Sequence, residues 1–179
     1  MKKFFVLFLP VLLLSCAYSV GERSLSHLKT ITIQTFVNST DEDWLDEDLL
    51  NFFSTQFNSN SNLKTQTKDA DCVLKGEILT YKDEVYKYDS DDNIENYHIK
   101  MSFKVELYDL VKNKTLYSTS GKTYDVKYAI GDPDNPDIKV DVTISEAQNN
   151  NRDKFDLIIK PEIFEDLFDE INTSTFDSW

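Results

Sequence analysis

The chain has 179 residues, with 19 lysines and arginines against 32 aspartates and glutamates, for a formal net charge of −13. That balance argues against a nucleic-acid binder, which must neutralise phosphates with clustered cations, and against adhesion of the whole body to anionic lipid by net charge. With only two cysteines, a disulfide-stapled scaffold is excluded, and a hydrophobic core has to hold the fold.

The chain opens with Lys2 and Lys3, followed by an apolar run from Phe4 to Leu14 that is interrupted by Pro10. Such a run has the length of a secretory signal core and falls short of the roughly 20 apolar residues that a membrane-spanning helix needs. It ends in Leu13-Leu14-Ser15-Cys16, which resembles the lipobox of bacterial lipoproteins. The resemblance implies that residues 1–15 are removed and that Cys16 becomes an acylated first residue. Two or more acyl chains make a stable anchor where one does not. Ala17 stands where an aspartate would favour inner-membrane retention in many Gram-negative bacteria, so outer-membrane sorting is expected. Residues 16–29, mixed in charge and without period, read as the acylated N-terminus and tether, and residues 30–179 as one domain.

Thr30 to Phe36 alternates β-branched and polar residues and reads as a first strand. A helix is expected next, capped by Thr40, with Asp41, Glu42 and Asp43 at its positive end. Leu45, Leu49, Phe52, Phe53 and Phe57 form its apolar stripe, and Asn58 to Asn62 ends it. Leu63 to Thr67 suits a short strand. Cys72 to Tyr88 suits a long one, with Gly76 marking a bulge or a close backbone approach.

After a turn at Asp89 to Asn93 comes the clearest pattern in the chain. Tyr97, Ile99, Met101, Phe103, Val105 and Leu107 alternate with His98, Lys100, Ser102, Lys104, Glu106 and Tyr108, which predicts a long strand with one buried and one wet face. Lys112 to Lys114 forms the next turn, and Leu116 to Tyr128 returns as the second arm of an antiparallel hairpin. The prolines of Gly131 to Asp137 predict a loop. A second helical region is expected from Thr143 or Ser145, with Phe155, Ile158, Ile159, Ile163, Phe164, Leu167, Phe168 and Ile171 on its apolar face. Pro161 is expected to kink or restart it. The fold class is therefore α+β: one sheet of about four strands with two helices on one face, in β-α-β-β-β-α order.

Little in the sequence suggests catalysis. His27 falls in the tether and His98 on a polar strand face, and no nucleophile motif, zinc signature or phosphate loop is present. Asp89-Ser90-Asp91-Asp92-Asn93 offers oxygens at calcium-loop spacing. Ile94 and Lys100, however, replace the glycine and glutamate that such a loop requires, so the stretch reads as a hairpin turn. Asp132, Asp134 and Asp137 lack ligand spacing. Cys72, within an apolar run, reads as a buried structural thiol. No metal, cofactor or enzymatic activity is expected.

Several phrases in order resemble the LptE family of lipopolysaccharide-assembly lipoproteins, in its Bacteroidetes-like version. They are Cys16-Ala17-Tyr18-Ser19, then Ile31 to Asn38, then Ala70 to Ile78 with Tyr81, then the alternating strand Tyr97 to Leu107 and its hairpin, and a helix ending near Trp179. Pro161 departs from the family, which keeps that helix continuous. The resemblance implies an outer-membrane lipoprotein, held through acylated Cys16. It would plug and help assemble an LptD-type β-barrel that delivers lipopolysaccharide to the outer leaflet. Lys100 and Lys104 share the wet face of one strand and are candidate contacts for lipopolysaccharide phosphates; the same pair also suits an ordinary solvated face balanced by Glu106. A periplasmic lipoprotein cofactor for a cell-wall enzyme is the alternative reading.

Overall fold

Seventeen residues from Cys72 to Tyr88 form the central strand on which the sheet is built. The computed structural model describes residues 25–131 and 140–176. Cys16 and the signal segment, the Asp132–Asp137 stretch and Trp179 lie outside the described residues. In chain order the elements begin with β1 (Thr30–Ile33), β2 (Val37–Asn38), α1 (Leu45–Asn60), β3 (Lys64–Thr65) and β4 (Cys72–Tyr88). They continue with β5 (Ile94–Asp109), β6 (Lys114–Ile130) and β7 (Val142–Ile144). A final helical run comprises α2 (Asn151–Lys154), a π-wound stretch (Phe155–Phe164) and α3 (Glu165–Thr175).

Among the described residues the sheet has seven strands rather than about four, in the order β3-β1-β4-β5-β6-β7, with β2 also on the edge of β4. The long antiparallel meander β4-β5-β6 is the one expected from the alternation. β1 and β3 fall where strands are expected, and the unexpected ones, β2 and β7, are two and three residues long. Runs of that length show no period, and their strand character comes from pairing with a long neighbour. β1 and β2 lie parallel to β4, and β7 lies parallel to the end of β6.

Of the five register shifts in the meander, two fall at one level. Ile78 pairs with Phe103 and Thr80 with Ser102, which leaves Leu79 over on β4. Lys122 pairs with Phe103 and Ser120 with Lys104, which leaves Gly121 over on β6. Gly121 has φ +144°, a conformation that glycine adopts readily. Both extra residues sit at the level of Phe103, so the added twist of each outer strand falls at the same height of the sheet.

The helices cover one face. Leu49, Phe53 and Phe57 of α1 are fully buried, as are Ile163, Phe164, Leu167 and Ile171 of the last helical run. Their rings interlock: Phe52 meets Phe164 at 5.6 Å and Phe57 meets Phe168 at 5.2 Å between centroids. Each fully buried side chain of this kind contributes about 1.5–3 kcal/mol.

Three local expectations are corrected. Thr40 does not cap α1; its hydroxyl accepts the Glu42 N–H in a turn, and the helix starts at Leu45. Val142–Ile144 is a strand, because its backbone pairs with Tyr128–Ile130; of the two expected helix starts Thr143 fails, while Ser145 caps a short 3-10 turn (Glu146–Gln148) and the α-helical run follows from Asn151. Pro161 does not restart the helix, which runs on through it. The chain winds more widely from Phe155 to Phe164, and the Glu165 N–H bonds to the Lys160 carbonyl, five residues back. In that winding the missing proline N–H is not needed by the carbonyl four residues before it.

Candidate functional site

The face of the sheet away from the helices is polar. Along β5 it carries His98, Lys100, Ser102, Lys104, Glu106 and Tyr108, while Ile99, Met101, Phe103, Val105 and Leu107 point into the core. The cross-strand partners are mostly complementary. Lys75 pairs with Glu106 at 3.1 Å. Asp125 takes both Lys100, at 3.6 Å, and His98, at 3.0 Å. Ser102 and Thr123 share a hydrogen bond of 2.8 Å. Lys127 sits 4.6 Å above the ring of Tyr86.

Lys100 and Lys104, the two lysines singled out from sequence, thus differ. Lys100 is engaged by Asp125 and stands directly across from Lys82. Like charges in that position repel unless an anion lies between them. Lys104 is exposed; it faces Glu77 across the strands and its charge helps hold the Glu106 carboxyl down, without an ion pair closer than 4 Å among the described residues. It borders a shallow depression of about 320 Å³ that Val37, Lys75, Glu77 and Glu106 also line. Gly76, at the same site, shows the close approach expected of it: a Cβ there would collide with the Phe36 ring and the Lys104 carbonyl oxygen.

A second grouping lies at the end of the sheet where the described chain begins. His27 Nε2 donates to Asp109 Oδ2 at 2.7 Å, and Asp109 is 1% exposed. The other oxygen of Asp109 accepts the N–H groups of Val111 and Lys112 at 2.9 and 2.8 Å. Burial alone would raise the Asp109 carboxyl, but the hydrogen bonds from Lys112, His27 and Val111 outweigh it and hold the group below the usual range. Asp71 does similar work beside it, accepting from the N–H groups of Lys29 and Thr30. Sequence reasoning placed His27 in a free tether and missed this cluster. The available signal was Asp109 at the end of the alternating strand, on the side that should be buried.

Two polar clusters fix the last helices to the sheet. Lys154 reaches Asp83 at 2.5 Å, and the Tyr128 hydroxyl donates to the same carboxylate at 2.7 Å. Glu170 accepts from the hydroxyls of Tyr117 and Tyr124 and pairs with Lys122 at 2.7 Å. Both are inward-facing and structural. Cys72 is buried, and burial together with Asp71 and Asp109 pushes its thiol up to about 12, which suits an inert packing residue. The Asp89–Asn93 stretch is a hairpin turn in which the Asp89 side chain accepts from the N–H groups of Asp91 and Asn93. Among the described residues no group of three or more histidine, cysteine or carboxylate side chains is placed to hold a metal. No described helix is long and apolar enough to cross a membrane.

The architecture is therefore that of a mixed α+β body whose exposed sheet face and strand ends, rather than a cleft, are available for contact. Its sequence matches the family model "LptE: Lipopolysaccharide-assembly" over residues 28–175, and the chain belongs to that family. A comparison with curated proteins gave no match. Among solved structures, the hypothetical protein CT253 from Chlamydia trachomatis superposes with a TM-score of 0.54 at 12% identity, covering 84% of this chain and 99% of that one, a likeness of fold. The rare lipoprotein B from Shewanella oneidensis aligns with a TM-score of 0.42 at 14% identity, covering 81% of this chain and 96% of that one.

Proposed function

We propose that the protein is an outer-membrane lipoprotein, anchored through acylated Cys16, that plugs and helps assemble an LptD-type β-barrel delivering lipopolysaccharide to the outer leaflet. The observation that carries this reading is the family match over residues 28–175. The physical features agree with it. The interior of a large membrane barrel is polar, and the open sheet face is a lattice of paired charges and hydroxyls. An acyl tether raises the local concentration of the body beside its membrane partner. The task needs shape and hydrogen bonding, with no bond made or broken.

Within this reading Lys104, supported by Lys100, contacts the phosphates of lipopolysaccharide. Lys104 carries the greater share, because Lys100 already has Asp125 as a partner. Depleting the protein and measuring lipopolysaccharide at the cell surface tests the function. The proposal expects surface lipopolysaccharide to fall while peptidoglycan composition stays constant. Altered peptidoglycan with unchanged surface lipopolysaccharide would instead identify a cofactor of a cell-wall enzyme.

A further inference from the structure

The turn after β5 exposes two adjacent aliphatic side chains, Leu110 at 46% and Val111 at 56%. They follow a strand that buries every other residue, and among the described residues nothing covers them. The turn is also rigidly held. Asp109 accepts the N–H groups of Val111 and Lys112, and the Leu110 N–H bonds to the Asp71 carbonyl at 2.8 Å. The same two aspartates bind the beginning of the described chain, Asp109 through His27 and Asp71 through Lys29 and Thr30. The exposed turn and the emerging N-terminus are therefore fixed to one another.

Register places further cations at this end. Thr30 pairs with Lys64, Ile31 with Cys72, Cys72 with Asp109, and Asp109 with Lys114. Lys29, Lys64, Lys112 and Lys114 thus border one end of the sheet, where Asp71 and Asp109 are occupied by hydrogen bonds. Asp71 and Asp109 keep their charge there, so in a chain of net charge −13 the four lysines leave this end with a local excess of cations over those two carboxylates. The acids gather elsewhere, at the start of α1 and on the β4–β5 turn with Asp89, Asp91 and Asp92.

Roughly nine residues separate Cys16 from Leu25, where the described chain starts. At 3.3–3.6 Å per residue they reach at most about 30 Å. An acyl chain on Cys16 therefore keeps this end within about 30 Å of the bilayer surface. Exposed aliphatic residues flanked by lysines suit the boundary between headgroups and acyl chains.

We propose that the β5–β6 turn inserts Leu110 and Val111 into the phospholipid leaflet that carries the anchor, with Lys112, Lys114 and Lys29 on lipid phosphates. The turn then acts as a second foot that sets the orientation of the body. This rests on the lipoprotein reading above for its placement but not for its chemistry.

The test is fluorescence of Val111→Trp and, at the opposite tip of the meander, Ile94→Trp. Each full-length acylated protein is reconstituted into phosphatidylethanolamine–phosphatidylglycerol vesicles containing brominated acyl chains, with the parent as baseline for Trp44 and Trp179. The added indole at 111 is expected to lose emission to the bromines, and the indole at 94 to keep it. Equal quenching at both positions, or none at 111, overturns the proposal; in the second case the turn would face the barrel partner instead. Flotation of the parent with the vesicles reports the anchor separately. If the N-terminal thiol is unmodified, coupling Cys16 to a maleimide lipid restores the tether, since Cys72 is buried, and the same quenching comparison decides.

Discussion

His27 and Asp109, 82 positions apart in sequence, meet at 2.7 Å and join the start of the described body to the turn between β5 and β6. The bond matters because Asp109 is nearly inaccessible and also holds the backbone of Val111 and Lys112. Replacing it with alanine leaves three donors without their acceptor. Asp109→Ala is expected to destabilise the fold by about 3 kcal/mol, as for loss of a buried, charge-assisted network. Urea unfolding of the variant against the parent measures this.

The same carboxylate gives the stability a sign in acid. Its pKa is lower folded than unfolded. Its contribution is therefore complete above the unfolded value of about 4, and is lost as pH falls through the lower folded value. Asp71, lowered chiefly by the Lys29 N–H bond, acts in the same direction. Unfolding free energy is expected to decline below about pH 4, and Asp109→Ala should decline less steeply over that range. Parallel slopes would show that the group does not contribute.

In alkali the tyrosines set the limit. Tyr117 is pushed up to about 12 by burial and then by its bond to Glu170. Burial first, and neighbouring carboxylates second, raise Tyr81, Tyr124 and Tyr128 as well. For an acid whose folded pKa is raised, stability is complete below the unfolded value, near 10, and falls as pH climbs toward the folded one. Phenolate absorbance should stay short of the full nine tyrosines until the protein unfolds. Full ionisation of a still-folded chain near pH 10 would contradict the placement of these hydroxyls.

Gly76→Ala tests the packing of the central strand. The new methyl would overlap the Phe36 ring, whose Cδ1 lies 2.9 Å from its position, and the Lys104 carbonyl oxygen as well. Backbone on one side and a buried ring on the other leave little room to yield. A loss of about 1–3 kcal/mol is expected, as for overpacked core sites, and thermal unfolding checks it.

Lys104→Glu separates surface function from stability. Lys104 is exposed and has no ion pair within 4 Å among the described residues, but it stands across from Glu77 and near Glu106, so the reversal should cost no more than about 1 kcal/mol. Capture of lipopolysaccharide on the immobilised protein should nonetheless fall well below that of the parent. Lys100→Glu should weaken capture less and cost some stability, because it places a third carboxylate beside Asp125 and Glu84.

Much of this architecture was legible because a long half-buried strand announces itself. The alternation from Tyr97 to Leu107 located β5 and its two faces, and the stripe of Leu45, Leu49, Phe52, Phe53 and Phe57 located α1. What escaped has physical reasons. β2 and β7 are too short to carry a period and exist through the ladders they complete. The phase change at Leu79 comes from a bulge that nothing in the local composition requires. The passage of Pro161 through a wide helical winding depends on packing of Ile158, Ile159, Ile163 and Phe164 into the core, which outweighs local preference. The His27–Asp109 contact is a tertiary pairing between a segment without period and a strand end, and sequence spacing does not encode it.

Isolation of the native protein from detergent-solubilised membranes, through an affinity tag placed where it leaves the N-terminus free, tests the central claim most directly. Mass spectrometry of the eluate should find one large outer-membrane β-barrel in stoichiometric amount. Recovery of the protein alone, or with peptidoglycan enzymes and no barrel, would contradict a plug and assembly partner.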